Sequence, residues 1–430
     1  MPLRKIILVA TIIWLVIGSY HVNRTRNDFC SHDYGGHIQY TETIVKQGRL
    51  PRPYEFWGAY QLPLYYLIDS FIASSSLKSD KEFHIKCVRY LSVVYGAVAL
   101  WAIGWFLELI GVTPLIQLLI LLFIATTPKF VFIFSTYNND SLLTMICTLV
   151  LSFAYRLNIQ YSRNLAIALF LVSAAGMYVK HTYFVFFLPA VIGLCCINIL
   201  RGKFLAKNQV QIVKILLASL ILIIPYLSLH YYKETGKFLP SNNEFSQKQD
   251  PCGANVPLLD RVFRIPVLTS SPHEWDEPWV NPHWNWCSPS TKRNSYLSFV
   301  FITSVIGEHT FRIPETSVIW VMLLIHLIIT LFALRYVLVS DISKLAGLVV
   351  LFSHILHIAS MGYFLKTMGW LPPASMDYRY ISWNWIAWAA LYSFSLQEQT
   401  NKLSKILSKI LIIGIIVHLY FLTTVVGNWE

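Results

Sequence analysis

Arg4-Lys5-Ile6-Ile7-Leu8-Val9-Ala10-Thr11-Ile12-Ile13-Trp14-Leu15-Val16-Ile17-Gly18-Ser19-Tyr20-His21-Val22-Asn23 opens the chain and decides its class. Two cations precede an uncharged run from Ile6 to Tyr20. A signal peptide has this outline, but His21-Val22-Asn23-Arg24 is a poor cleavage site, so the segment reads as an uncleaved first membrane helix. Arg4 and Lys5 hold its N-terminus inside. The rest of the chain has the same character. Of 430 residues, 55% are hydrophobic and 13% charged, against about a quarter charged in soluble domains. Mean hydropathy is +0.53. A water-soluble fold of this composition would expose too much apolar surface, so the chain reads as an all-α polytopic membrane protein.

Apolar runs start near Ile6, Cys87, Pro114, Asp140, Asn164, Thr182, Gln211, Thr316, Leu345, Tyr380 and Ile406, which predicts about eleven transmembrane helices. Alternation from an inside N-terminus puts Arg156, Arg163, Arg201, Lys203, Lys207, Arg335, Lys344, Lys402 and Lys405 in or beside inside loops. Losing one span would move the later charges outside. The net charge of +12 therefore reflects loops facing anionic lipid. No compact basic domain exists to bind nucleic acid. Residues 1–430 read as one membrane domain with two large external loops, 21–86 and 233–297, and juxtamembrane or interfacial helices in both. Gln61 to Ser74 is too short for a span, contains Pro63 and Asp69, and reads as interfacial or re-entrant. Cys87, Cys147, Cys195 and Cys196 read as small core residues. Cys30, Cys252 and Cys287 fall in external loops, and the last two could pair in an oxidising compartment.

Chemistry is expected on the outer face, where loops on a rigid scaffold can carry it. Ser31-His32-Asp33-Tyr34-Gly35-Gly36-His37 follows the first helix directly. Tyr34 to Gln47 has His37, Tyr40 and Ile44 at helical spacing and predicts a short surface helix. Asp33 would sit at its positive end, either as a general base or as a solvated acid capping the helix. Lys180 closes Ala174-Ala175-Gly176-Met177-Tyr178-Val179-Lys180-His181 at the outer end of a span. It reads as a phosphate ligand or as a snorkelling end-of-helix lysine. Asp140 opens a span in Tyr137-Asn138-Asn139-Asp140-Ser141, as an acceptor-binding or metal-binding acid or as a helix cap. Arg379, in Met376-Asp377-Tyr378-Arg379-Tyr380, could grip phosphate bidentately or pair with Asp377. The second loop carries His273-Glu274-Trp275-Asp276-Glu277-Pro278-Trp279 and Asn281-Pro282-His283-Trp284-Asn285-Trp286-Cys287. Its tryptophans, Trp284 among them, suit carbohydrate stacking or an interfacial plug equally. No ordered ligand spacing marks a metal site, although a divalent cation could find acids and histidines there. Nucleophile elbow, P-loop, dinucleotide turn and His-Glu-x-x-His are all missing.

Asp33, His37, Tyr40, Gly48, Leu50, Pro51, Gln61, Pro63, Leu64, Tyr65 and Tyr66 together resemble the opening of the GT-C membrane glycosyltransferases. The resemblance is greatest to the group of dolichyl-phosphate-mannose–protein mannosyltransferases and lipid A aminoarabinose transferase. The Tyr137–Leu143 stretch and the run from Ala174 to Lys180, followed by Pro189, resemble later segments of the same group. The first half of the chain carries the likeness; the second half shares topology. The group often has Asp-Glu where this chain has Asp33-Tyr34.

The resemblance implies a GT-C fold and an inverting transfer of a sugar from a polyprenyl-phosphate donor. The acceptor would be a glycan, lipid or protein, with membrane lipid as the surrounding partner. Asp33 would be catalytic, and Lys180 and Arg379 would hold the donor phosphate. His37, Tyr40, Gln61, Tyr65, Asp140, His181 and Trp284 would contact substrate. The expected location is a bacterial plasma membrane with the active site outward. The competing class is a transporter or flippase of lipid-linked sugars, whose polar groups would line a path across the bilayer. A non-catalytic assembly subunit is a third reading.

Overall fold

The computed structural model describes residues 3–25, 34–76, 80–192, 206–238, 296–306, 316–338, 340–368, 378–397 and 402–425. These residues form helices and no strand. In chain order they are α1 (Leu3–Arg24), α2 (Tyr34–Gln47), α3 (Leu64–Ser76), α4 (Lys81–Leu109), α5 (Pro114–Thr126), α6 (Pro128–Ser135), α7 (Asp140–Ile159) and α8 (Arg163–Met177). There follow α9 (Tyr183–Ile192), α10 (Lys207–Thr235), α11 (Tyr296–Ile306), α12 (Thr316–Arg335) and α13 (Asp341–Met368). A 3₁₀ turn (Tyr378–Asn384) leads into α14 (Trp385–Gln397), and α15 (Lys402–Tyr420) follows.

Among the described residues each of the eleven expected apolar runs lies in a helix, but the helices are not equally long. Among the described residues, seven helices are long and apolar enough to cross a bilayer, or eight if α5 and α6 count as one bent span. Pro128 explains the bend. Its ring cannot continue the hydrogen-bond ladder of α5, so the chain restarts with Pro128 in the first turn of α6, at 63° to α5. α8 and α9 are shorter apolar helices. α11, 11 residues long, is an apolar helix too short to cross a bilayer, at the end of the second large loop. Residues 239–295 of that loop, with Trp284, Cys252 and Cys287, lie outside the described residues.

α1 and α4 meet along a seam of small residues. A Cβ at Gly96 would stand 2.7 Å from the ring of Trp14, and one at Gly104 would stand 2.9 Å from Ile7. Trp14 then donates its indole N–H to the Val93 carbonyl at 2.9 Å. In lipid, packing rather than water exclusion drives such contacts, so close backbone approach matters more than apolar area. Cys147 is buried and Cys87 half-buried, both as free thiols, in keeping with core use.

Two contacts bring together helix ends that the expected alternation puts on one side. Gln397 at the end of α14 donates to the Gly111 carbonyl between α4 and α5. Asn208 at the start of α10 donates to Asn158 at the end of α7. Both contacts join loops expected inside. At the opposite end, fully buried Arg89 on α4 donates to the Ser135 carbonyl closing α6 and to the Thr25 carbonyl just past α1. A cation there complements two negative helix C-termini. It also fixes the chain at Thr25, immediately before the segment that contains Asp33.

Candidate active site

α2 has the bounds expected from its spacing, and the face that carries His37 and Tyr40 is turned inward while Gly35, Gln39, Lys46 and Gln47 are exposed. His37, Ile38, Tyr40, Thr41 and Thr43 are buried. His37 Nδ1 lies 2.6 Å from the Tyr66 hydroxyl. Tyr40 stacks on Tyr66 with ring centroids 3.9 Å apart. Gly48, in the left-handed region at φ +66°, ends the helix by donating to the Ile44 carbonyl. Asp33 itself lies outside the described residues. Tyr34, which follows it, packs edge-on against Tyr137 at 6.1 Å. Tyr137 stands three residues before Asp140.

Asp140 and Lys180 form a buried ion pair, Nζ to Oδ1 at 2.5 Å. Asp140 opens α7 without capping it. The Asn138 side-chain oxygen accepts the Ser141 N–H at 3.0 Å and takes that role. Lys180 is not snorkelling to solvent, because it is 6% exposed. Its ammonium also faces the Tyr380 ring at 5.3 Å. Arg379, buried, lies 5.1 Å from the same ring and donates to the Tyr380 hydroxyl at 3.2 Å. Two cations from chain segments two hundred residues apart thus share one tyrosine ring. Asp377, the alternative partner for Arg379, lies outside the described residues.

Gln61 connects this pair to the first loop. Its side chain accepts from Asn139 Nδ2 at 3.1 Å and donates to the Tyr60 hydroxyl at 3.1 Å. The Tyr231 hydroxyl of α10 holds the carbonyls of Tyr60 and Gln61. The Leu64 N–H at the start of α3 bonds the Tyr178 carbonyl at the end of α8. Tyr60 in turn stacks on His181. Burial, reinforced by the charge on Lys180, pushes His181 down to about 3. The imidazole is therefore neutral at any physiological pH.

Several buried polar atoms around the pair have no hydrogen-bond partner among the described residues. They are Asn139 Oδ1, His181 Nε2, Thr182 Oγ1 and the Tyr65 hydroxyl. Native proteins seldom leave buried polar groups unmatched, and a cluster of them beside an ion pair fits a place for a polar ligand. The Tyr65 hydroxyl is raised well above its ordinary value by burial and by Asp69, with Asp140 contributing. Its ring packs against Tyr66 and Tyr137. Asp33 and Trp284 apart, all the expected site residues described here fall in this cluster or in the aromatic packing of α2 against α3.

Sequence reading missed the second acid centre. Asp69 on α3 is 1% exposed. It accepts from the Thr41 hydroxyl at 2.5 Å and from the Tyr137 hydroxyl, and lies 3.1 Å from His84 Nε2. It ties α2, α3, α4 and the Tyr137 segment together. The one signal was an acid inside an apolar stretch, where an unpaired charge is too costly to persist. Among the described residues, no group of three His, Cys, Asp or Glu could hold a metal ion.

No protein-family model matches the sequence, and no curated protein matches it. Among solved structures, the chain is similar to the crystal structure of ArnT from Cupriavidus metallidurans bound to undecaprenyl phosphate. The identity is 12%, the match covers 95% of this chain and 87% of that one, and the TM-score is 0.40. At that overlap, the functional reading has to stand on the side chains of this protein.

Proposed function

We propose that the protein is an inverting membrane glycosyltransferase that uses a sugar on a polyprenyl phosphate. The observation that supports this best is the buried Lys180–Asp140 pair, with Arg379 sharing the Tyr380 ring and unmatched polar atoms on Asn139, His181 and Thr182 next to it in the chain. A lipid phosphate cannot leave the bilayer, so its anion must be met where hydrocarbon ends. Lys180 meets it as a point charge and Arg379 as a planar fork. The unmatched amide, imidazole and hydroxyl groups suit the hydroxyls of a sugar.

Asp33 takes the proton from the acceptor hydroxyl or amine. The freed electron pair attacks the anomeric carbon from the face opposite the phosphate. The bond from that carbon to the phosphate oxygen breaks, its electrons stay on the phosphate, and polyprenyl phosphate leaves. A single displacement inverts the anomeric centre, whereas retention would need a carboxylate nucleophile. The cations Arg4 and Lys5, held inside by the positive-inside bias, support an outer face for the site. Both buried acid–base pairs, Asp140–Lys180 and Asp69–His84, lie at this one end. That clustering favours an enzyme over a path through the bilayer.

The test is to incubate purified protein with defined polyprenyl-phosphate sugars and candidate acceptors and to follow release of the lipid phosphate. Wild type should release it, and Asp33→Asn should not, while still binding donor. Near-normal turnover in Asp33→Asn would refute the base assignment.

A further inference from the structure

Asp140 occupies the ammonium that the donor phosphate needs. Among the described residues Lys180 has one hydrogen-bonding partner, Asp140 Oδ1 at 2.5 Å. The carboxylate is held there and not by its own helix, since Asn138 caps α7. A buried lysine without a counter-charge is costly, and so is a buried carboxylate. Before donor arrives, each neutralises the other. Arg379 is a second cation within reach of the same Tyr380 ring. The arrangement is an anion site already filled, in part, by a side chain.

We propose that Asp140 is a placeholder for the lipid phosphate, so that donor binding displaces it from Lys180 and turns it toward the acceptor. This rests on the reading of Lys180 as a phosphate ligand and adds an order to it. The phosphodiester binds first, between Lys180 and Arg379. The carboxylate it releases then needs a new donor, which the acceptor hydroxyl or amine supplies. Until the donor is present, Asp140 is engaged and the acceptor site lacks that ligand. This order protects the donor from nothing by itself, but it keeps acceptor from occupying an enzyme that has no sugar to transfer.

The test is binding of farnesyl phosphate to detergent-purified wild type, Asp140→Asn, Lys180→Met and the double variant, by calorimetric titration. Removing the competitor should tighten binding by about tenfold or more in Asp140→Asn, the scale of a charge-assisted hydrogen bond. Turnover in the same variant should fall. Lys180→Met should weaken binding by a similar factor, and in that background Asp140→Asn should tighten it less than in wild type, since only the repulsion of a stranded carboxylate is relieved and no ammonium is freed. If Lys180→Met weakens binding but Asp140→Asn does not tighten it, the placeholder is wrong and the phosphate reading survives. If Lys180→Met leaves binding intact, the phosphate reading itself fails. Should Asp140→Asn not fold, wild type gives a second readout. Infrared difference spectra on adding farnesyl phosphate should show a shifted carboxylate band, and the absence of any such shift overturns the proposal.

Discussion

Lys180 and Asp140 show what a single pair contributes to stability and to chemistry at once. Removing one member of a buried ion pair strands the other, at a cost of about 3–5 kcal/mol, while replacing both with apolar groups can be nearly neutral. Asp140→Ala and Lys180→Met should therefore each lower the melting temperature in detergent. The double variant should recover much of that loss and remain inactive. Additive losses would mean that the two charges do not depend on each other. His181 gives a pH signature. Unfolded, an imidazole takes up a proton near pH 6.5, but the folded protein admits one only near pH 3. The unfolded state thus binds the extra proton as pH falls through that window, and stability should drop with acidification. His181→Phe should flatten the acid limb of a melting-temperature profile between about pH 6.5 and 4. An unchanged slope would show that another group sets it.

At the scale of elements, two contacts decide how helices meet. Gly96 lets α4 approach Trp14, because a Cβ there would stand only 2.7 Å from the indole ring. Gly96→Val should destabilise the protein markedly, and Gly96→Ala less so. Thermal inactivation in detergent reads both, and wild-type behaviour of Gly96→Val would contradict the packing. Arg89 bonds the ends of two other helices from its place in α4. Arg89→Met should therefore loosen the chain just before Asp33 and reduce turnover beyond its effect on stability. α2 was legible in sequence to the residue, because His37, Tyr40 and Ile44 recur at a helical interval. Its depth was not legible, since burial comes from α3 and Tyr137. The pairing of Asp140 with Lys180 was equally invisible, although each had been singled out. Neither position carries any mark of the other across the forty residues between them. Asp69 marked its segment as interfacial or re-entrant, but its part in a buried network stayed hidden for the same reason: its partners Thr41, His84 and Tyr137 come from three separate stretches.

Over the whole molecule, hydropathy made an all-helical membrane protein legible. Counting spans was less secure, because a short apolar helix and a spanning one differ only in length, and Pro128 divides one run in two. The site at the end opposite Gly111 and Asn158 draws on α2, α3, α7, the α8–α9 link, α10 and the Tyr378–Asn384 turn. No single stretch could have displayed it. A photoreactive polyprenyl phosphate, with its diazirine close to the phosphate, tests this convergence most directly. After irradiation and peptide mapping, label should fall on the segments around Lys180 and around Arg379 and Tyr380, and an excess of farnesyl phosphate should remove it. Label confined to the end that carries Gly111 and Asn158, or spread evenly along the lipid-facing helices, would contradict a lipid-phosphate site at Lys180.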